Sequence, residues 1–312
     1  MKWPNGRALI LAAGKGTRLL PVTKAIPKPL FPVLGIPAIE RIAKILSIPG
    51  ICQTAINVFH LKDQLIEWAS SNGRQDRFTI LEERLLLGTG GAVKNAFGKM
   101  GYDRPLLIYN SDIISNLDPT RLIECYYAMG APASLLCVHH RSPFNKLCIK
   151  KGQVVGFDER GPSSLAYTGI AIISPELFRD VVLKPCSLVD IWQDAIEKGL
   201  SVKAIHGKEI TRSGEDWTWN DIGTPCGYLK GNWTLLARSQ ERQFISSQAF
   251  LGKNLRLEGK IYIGDKAIIG DNTTIKDSII WPLAEIGGNM HIENCTVTPY
   301  GTLPCILGRN DG

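Results

Sequence analysis

Short apolar runs alternate with amphipathic stretches from Arg7 to about Ile205. ALILAA at 8–13 reads as a buried strand, and AIERIAKIL at 38–46 carries Ile39, Ile42, Ile45 and Leu46 at helical spacing. QTAINVF predicts a second strand and LKDQLIEWAS a second helix; FTILEE, GAVKNAF and PLLIYN continue the alternation. Such a chain builds an α/β core, a mostly parallel sheet with helices on both faces. Ligands in these sheets bind where strands end and the chain crosses over, so the loops after strands hold the candidate chemistry.

The pattern changes after about residue 248. Leu251, Leu257, Ile263, Ile269, Ile275 and Trp281 recur every sixth residue; a five-residue step reaches Ile286, and Ile292 restores the period. Gly252, Gly264, Gly270 and Gly287 each directly follow an apolar residue of this series. A period of six suits neither an amphipathic helix nor a hairpin and predicts a short left-handed β-helix of hexapeptide coils. The stretch from Tyr228 to about Ser247 has helical composition and reads as a connector. The expected division is a core over 1–240 and a repeat domain over 248–312.

Composition changes this picture little. The 312 residues are 44% hydrophobic and 21% charged, as in ordinary globular proteins. The net charge of +7 comes from scattered Lys and Arg, with no basic run that would point to nucleic acid. Eight cysteines lie far apart without a C-x-x-C pair or Cys/His cluster, which reads as incidental thiols in a reducing cytoplasm. The apolar run near the N-terminus is too short to span a membrane, so a cytoplasmic protein without a membrane partner is expected.

The strand at 8–13 runs straight into Gly14-Lys15-Gly16-Thr17-Arg18. Glycines at a strand end let backbone N–H groups converge on phosphate without Cβ obstruction. This is no Walker loop, and Leu19 stands where a dinucleotide fingerprint has its third glycine, which argues against a nicotinamide-dependent oxidoreductase. Further on, Pro27-Lys28-Pro29 sets one lysine between two prolines, which holds a cation at fixed reach. At 106–113, LLIYNSDI is an apolar strand ending in Asn110-Ser111-Asp112, a carboxylate placed to hold Mg²⁺ through oxygen.

Residues 9–40, LILAAGKGTRLLPVTKAIPKPLFPVLGIPAIE, resemble the opening signature of the sugar-phosphate nucleotidyltransferase family. Its guanylyltransferases acting on mannose-1-phosphate are the best match, with thymidylyl- and uridylyltransferases sharing the loop. The resemblance implies a Rossmann-like GT-A core whose substrates are a nucleoside triphosphate and a sugar-1-phosphate. It implies that Leu11, Ala12, Ala13, Gly14, Lys15, Gly16 and Thr17 wrap the nucleotide, Arg18 faces the leaving pyrophosphate, and Lys28 the sugar phosphate. LGTGGAVKNA at 87–96 resembles the family's base-reading segment, with Gly88 and Thr89 at the matching positions. WTWNDIGTPCGYLKGN at 217–232 resembles the motif whose acid, here Asp221, is a second Mg²⁺ ligand beside Asp112.

For the sugar site the resemblance points to Asn110, Asn145, Glu159, Arg160, Tyr167, Thr168 and Gly169. Arg160 replaces the family's lysine, Gly161 intervenes before the proline, and Asn145 stands where glycine is usual. An inactive binding homologue is opposed by Arg18, Lys28, Asp112 and Asp221 all being present. An added acyltransferase is opposed by His291 being the repeat's only histidine. The repeat carries no phosphate or metal motif, so it is expected to govern homo-oligomer assembly and stability rather than chemistry, and a chain cut near 247 is expected to form a smaller oligomer or an aggregation-prone core with its site still assembled.

Overall fold

A computed structural model describes residues 6–71, 73, 74, 76–139, 146–157, 165–211 and 216–306. The chain divides into two compact units, one running to Gly14 and then over Ile42–Trp219, the other built from Lys15–Arg41 and the chain from Asn220 onward.

The first unit is organised on a nine-stranded sheet. Its strands are β1 (Gly6–Leu11), β2 (Ile51–Val58), β3 (Phe78–Glu82), β4 (Leu106–Asn110), β5 (Ala133–His139), β6 (Leu147–Lys150), β7 (Gln153–Phe157), β8 (Leu165–Ile173) and β9 (Val202–His206). They lie in the order β3-β2-β1-β4-β8-β5-β9-β7-β6. β3, β2, β1 and β4 pair in parallel, as do β5 and β9. β8 is antiparallel to both its neighbours and β7 to both of its own, so the other seven strands share one direction. The sheet is thus mostly parallel, as the alternating pattern predicts.

Ala8, Leu9 and Ile10 are all fully buried, because both faces of a central parallel strand are covered. Helices α1 (Ala38–Leu46), α2 (Lys62–Ser70), α3 (Gly88–Met100), α4 (Pro119–Met129) and α5 (Leu188–Glu197) follow the strands. Phe97 of α3 and Trp192 of α5 join Leu9, Ile108 and Leu135 in one apolar cluster. Local chemistry sets the helix ends. Asp118 accepts from the Thr120 N–H at 3.0 Å with Pro119 in the first turn, and Ser187 with Asp190 closes a capping box on α5.

In the second unit, the segment Lys15–Arg41 packs with α6 (Pro225–Arg238) and the C-terminal strands. Phe31, Tyr228 and Trp281 form an aromatic trio, with Phe31 edge-on to Tyr228 at 5.8 Å and to Trp281 at 4.9 Å. The Tyr228 hydroxyl donates to the Pro32 carbonyl and accepts from Trp281 Nε1 at 2.9 Å. Asn232, fully buried, accepts the Leu34 N–H at 2.8 Å and donates to the Tyr228 carbonyl. The C-terminal strands therefore help to build the region that contains Lys28.

Those strands pair in parallel, except the last, Gly301–Pro304, which is antiparallel to Cys295–Thr298. Phe250 faces Ile268, which faces Glu285, and Gln243 faces Ile261. Ile263, Ile269, Ile275, Trp281 and Ile286 of the six-residue series are buried, whereas Leu251 at the first rung is 45% exposed. Asn254, Asn272 and Asn289 occupy left-handed turns at φ 57°, 59° and 58°, and their amides form a ladder, Asn254 to Asn272 at 3.1 Å and Asn272 to Asn289 at 3.3 Å. A Cβ on Gly270 would meet the Gly288 nitrogen at 2.3 Å, so close stacking of successive turns demands glycine there.

The cysteines require a correction. Cys226 in α6 and Cys305 near the end of the chain form a disulfide, while Cys52, Cys125, Cys137, Cys148, Cys186 and Cys295 are free. The partners are 79 residues apart, a separation that sequence spacing cannot reveal. No helix among the described residues is long and apolar enough to cross a membrane.

Trp281→Ala should lower stability by about 3–5 kcal/mol, the usual cost of emptying a buried aromatic site. Leu283→Ala, at a side chain 62% exposed, should stay within about 0.5 kcal/mol of the parent. Urea denaturation of both variants measures the difference; equal midpoints would contradict the role of the trio.

Candidate active site

β1 ends at Leu11, paired with Asn57 on one side and Asn110 on the other. Its continuation, Ala12 and Ala13, is buried, and at Gly14 the chain emerges into open space, with nothing within 4 Å of where a Cβ would lie. Lys15, Thr17 and Arg18 are exposed. Gly16 takes φ 63°, a Cβ there would strike Thr23 at 2.9 Å, and the Thr23 hydroxyl donates to the Gly16 carbonyl at 3.0 Å. Only glycine fits that position. Among the described residues no acceptor takes the N–H groups of Gly14, Lys15 or Gly16. A loop whose amides take no acceptor within the chain can offer an anion several N–H donors at once.

Lys28 begins a single helical turn, Lys28–Leu30, and is half-buried between Pro27 and Pro29, both buried. The cation is thereby carried on a stiff backbone anchored next to Phe31 and Pro32.

Asp112 follows β4 directly. Ser111, buried, donates its N–H to the Leu11 carbonyl at 3.1 Å, which fixes this turn beside the end of β1. Asp221 accepts the Gly223 N–H at 2.7 Å, while the helix cap of α6 is Thr224, whose side chain accepts from Gly227 at 3.0 Å. Asp221 is therefore not the cap that an isolated Asp before a helix would suggest. Among the described residues no group of three His, Cys, Asp or Glu could hold a metal ion. Isolated carboxylates suit a hard cation that keeps water and phosphate oxygens in its shell, as Mg²⁺ does.

Gly88 and Thr89 open α3 against the 184–188 segment. Gly88 takes φ 68°, a Cβ on it would meet the Cys186 carbonyl at 2.6 Å, and Thr89 Oγ1 accepts the Leu188 N–H at 2.9 Å. The glycines of this motif thus have a packing reason as well as a suggested ligand role. Burial, then Asp190, pushes the Cys186 thiol above its usual range, which marks it as packing rather than nucleophile.

Asn110 and Gly169 meet across β4 and β8. At φ 83°, Gly169 lets the Asn110 side chain lie where a Cβ would come within 2.7 Å of Nδ2. Tyr167 is buried, its ring edge-on to Trp192 at 4.8 Å in the core. Thr168 is buried and donates its hydroxyl to the Leu136 carbonyl at 2.8 Å, so both side chains serve the sheet. Asn145, Glu159 and Arg160 lie outside the described residues. Sequence reasoning passed over two buried polar side chains, Asn57 and Glu83, at the same end of the sheet. The signal was present, because an Asn inside the apolar strand QTAINVF and a Glu just past FTILE break their patterns.

A mostly parallel nine-stranded sheet with helices following its strands defines an α/β protein, and the loop after β1 carries amides with no acceptor among the described residues. The sequence profile of the nucleotidyl transferase family matches residues 7–238, and the chain belongs to that family. It is 25% identical over 303 residues to mannose-1-phosphate guanylyltransferase 1 of Arabidopsis thaliana, covering 93% of this chain and 81% of that protein. It is likewise 25% identical over 337 residues to a UTP–glucose-1-phosphate uridylyltransferase of Synechocystis sp., covering 95% and 84%. The crystal structure of HddC from Yersinia pseudotuberculosis complexed with GMP-PN shares the fold, with a TM-score of 0.61 at 24% identity, covering 74% of this chain and 99% of that one.

Asp112→Asn and Asp221→Asn should each reduce Mg²⁺-dependent turnover by more than about tenfold, a loss above roughly 1.4 kcal/mol of barrier. Each swap keeps shape, so circular dichroism should be unchanged. A residue whose variant keeps more than a tenth of the rate is not a metal ligand.

Proposed function

We propose that this chain is a sugar-1-phosphate nucleotidyltransferase that converts a nucleoside triphosphate and a sugar-1-phosphate into an NDP-sugar and pyrophosphate. The observation that carries the reading is the loop at the end of β1, whose Gly14–Gly16 amides have no acceptor among the described residues, followed by the proline-held Lys28. Family membership over residues 7–238 supports the reaction class. GTP with mannose-1-phosphate is the preferred pair, supported by the opening segment and by the guanylyltransferases among the relatives.

In this reading an oxygen of the sugar phosphate attacks the α-phosphorus in line, a new P–O bond forms, the α–β bridging P–O bond breaks, and pyrophosphate leaves. The second pKa of a phosphate monoester lies near about 6, so at neutral pH the nucleophile is already ionised and no general base is needed. The task left is to bring two polyanions together and to stabilise charge that develops on the phosphates. Leu11–Thr17 and Gly88–Thr89 hold the nucleotide, Arg18 steadies the departing pyrophosphate, and Lys28 grips the sugar phosphate. Asp112 and Asp221 would hold a Mg²⁺ ion, which would supply charge neutralisation at the phosphates. Asn110 and Gly169 border the sugar, with Asn145, Glu159 and Arg160 completing the set.

The division into a catalytic domain over 1–240 and a repeat domain over 248–312 belongs to the same reading. The C-terminal strands are proposed to be a left-handed β-helix, supported by the parallel ladder of Phe250, Ile268 and Glu285 and by the six-residue series. A second copy of the chain is the proposed partner, supported by exposed Phe244, Ile245, Phe250 and Leu251 on the first strands of the stack.

A pyrophosphate-release matrix of GTP, dTTP, UTP, CTP and ATP against several sugar-1-phosphates tests the function, and absence of release from every pair would refute it. Another pair preferred more than about tenfold, a barrier difference near 1.4 kcal/mol, would reassign the substrates. Lys28→Ala should raise the KM for sugar phosphate with little change for the nucleotide, whereas Arg18→Ala should mainly lower kcat. An unchanged sugar-phosphate KM in the lysine variant would contradict its role.

Cutting the chain at 247 removes Trp281 from Phe31 and Tyr228 and also opens the Cys226–Cys305 link. The shortened protein should lose turnover even where it stays soluble. Retention of parental kcat and both KM values would show that the Lys28 segment stands without the repeat.

A further inference from the structure

The last strand of the second unit, Gly301–Pro304, is held differently on its two edges. On one it is laddered to Cys295–Thr298, with Thr296 facing Leu303 and the Thr298 hydroxyl donating to the Gly301 carbonyl at 2.8 Å. On the other no strand pairs with it among the described residues, and it lies against α6 and the Val22–Lys24 turn. Two contacts fasten that side. A Cβ on Gly301, at φ 135°, would come within 2.8 Å of Pro21 Cγ, so the hairpin backbone rests directly on the proline ring. Cys305, the residue after the strand, is joined by its disulfide to Cys226 in the first turn of α6.

Each anchor point adjoins a segment proposed to handle phosphate or metal. Pro21 opens the Val22–Lys24 turn, in which Thr23, 1% exposed, donates its hydroxyl to the Gly16 carbonyl at 3.0 Å. Arg18 and Lys28 lie on either side of that turn in the chain. The backbone between Asp221 and Cys226 is tightly turned. Asp221 accepts the Gly223 N–H at 2.7 Å, Thr224 Oγ1 accepts the Gly227 N–H at 3.0 Å, and a Cβ on Gly227 would strike the Asp221 carbonyl. One short hairpin therefore bears on both segments, and the disulfide closes it against α6.

The other thiols set this bond apart. Six of the eight cysteines are free, among them exposed Cys52 and buried Cys137, whereas Cys226 and Cys305 are paired although both are half-exposed. A single accessible pair in a chain of mostly unpaired thiols is the kind that responds to thiol reductants, unlike the fully paired framework of a secreted domain. Cys295 faces Pro304 in the ladder, next to Cys305, but it does not compete for the bond. Burial pushes its thiol above the usual range, so it stays protonated and a poor attacking nucleophile.

We propose that Cys226–Cys305 is a reversible redox clasp on the transfer reaction. Oxidised, it holds the C-terminal hairpin against the Pro21 turn and the start of α6, and so keeps the Arg18–Lys28 segment and the Asp221 turn ordered. Reduced, the hairpin keeps its ladder but releases that hold, and turnover falls. The inference rests on reading these segments as the phosphate and metal side of the site. In the switching step a thiolate of a dithiol reductant attacks one sulfur of the pair and forms a mixed disulfide. Its second thiolate then displaces the protein from that bond. The protein S–S bond is broken, two electrons and two protons end on Cys226 and Cys305, and the reductant leaves as its own cyclic disulfide. Phe31, Tyr228 and Trp281 take no part in the exchange, so reduction loosens the clasp without unfolding the unit.

The test uses the full chain, with dithiothreitol as reductant and glutathione disulfide as oxidant. A thiol titration of the denatured protein should count six thiols before reduction and eight after it. Reduction should lower kcat for pyrophosphate release by about fivefold or more, as for other coupled sites, and reoxidation should restore it. Cys226→Ser and Cys305→Ser should each show the reduced rate with or without dithiothreitol, while Cys295→Ser should switch like the parent. Hydrogen–deuterium exchange, which needs no turnover, should quicken on reduction in segments 15–24 and 221–228, with circular dichroism unchanged.

Equal kcat at six and eight thiols overturns the proposal, as does a parent that forms no Cys226–Cys305 bond with glutathione disulfide. A further fall in rate when the Cys226→Ser or Cys305→Ser chain is reduced also overturns it, because the effect then arises at another thiol. Lost circular dichroism on reduction makes the bond a structural staple and overturns it equally, and so does unchanged exchange in both segments. If the oxidised parent releases no pyrophosphate from any substrate pair, the activity reading falls separately, and the exchange comparison decides whether the clasp orders the two segments.

Discussion

Tyr228 is the side chain on which the second unit turns. Its ring packs against both Phe31 and Trp281, and its hydroxyl joins the Pro32 carbonyl to the Trp281 indole. Burial drives its phenol far above the usual range, so it remains a neutral donor and acceptor at any working pH. Through these contacts, chain around residue 31 and chain around residue 281 share one core. Lys28 owes its fixed place to that core: the prolines beside it restrict the backbone, but only packing against α6 and the C-terminal strands gives the stiffened segment a position. Asn232 repeats the arrangement a turn later by holding the Leu34 N–H.

In the first unit the equivalent constraint is the parallel alignment of strand ends. β1, β2, β3 and β4 run the same way, so their following loops gather at one edge. Residues distant in sequence then complete one another's hydrogen bonds: Ser111 caps Leu11, and Asn57 joins Ala12 to Glu83. Buried polar groups of this kind would be penalties in an apolar core. At the rim of a parallel sheet they tie down irregular backbone that has no ladder of its own. That is also where a phosphate-binding loop must be rigid, because electrostatic stabilisation depends on donors already aimed.

The C-terminal strands follow a third rule. Buried Ile263, Ile269 and Ile286 and Asn in left-handed turns accompany strands that pair in parallel. The Asn ladder satisfies side-chain amides between turns, and glycines such as Gly270 admit a neighbouring backbone that any side chain would exclude.

Much of this was legible in the chain itself. Apolar periodicity marks β1, β2 and α3 within a few residues, and AIERIAKIL coincides with α1, because local burial pattern and local backbone geometry share a period. Of the six-residue series, Ile263, Ile269, Ile275, Trp281 and Ile286 are buried, while Leu257 and Ile292 are half-buried and Leu251 is exposed. Family membership was visible in residues 9–40, where glycines, prolines and a lysine stand in a fixed local order. What tertiary structure decided is everything that depends on distant partners. The Cys226–Cys305 pairing, the placing of Trp281 against Phe31, the inward turn of Tyr167 and the Asn57–Glu83 bond join residues whose separation carries no periodic signal. Periodicity reports whether a side chain is buried, and only the assembled fold determines against what.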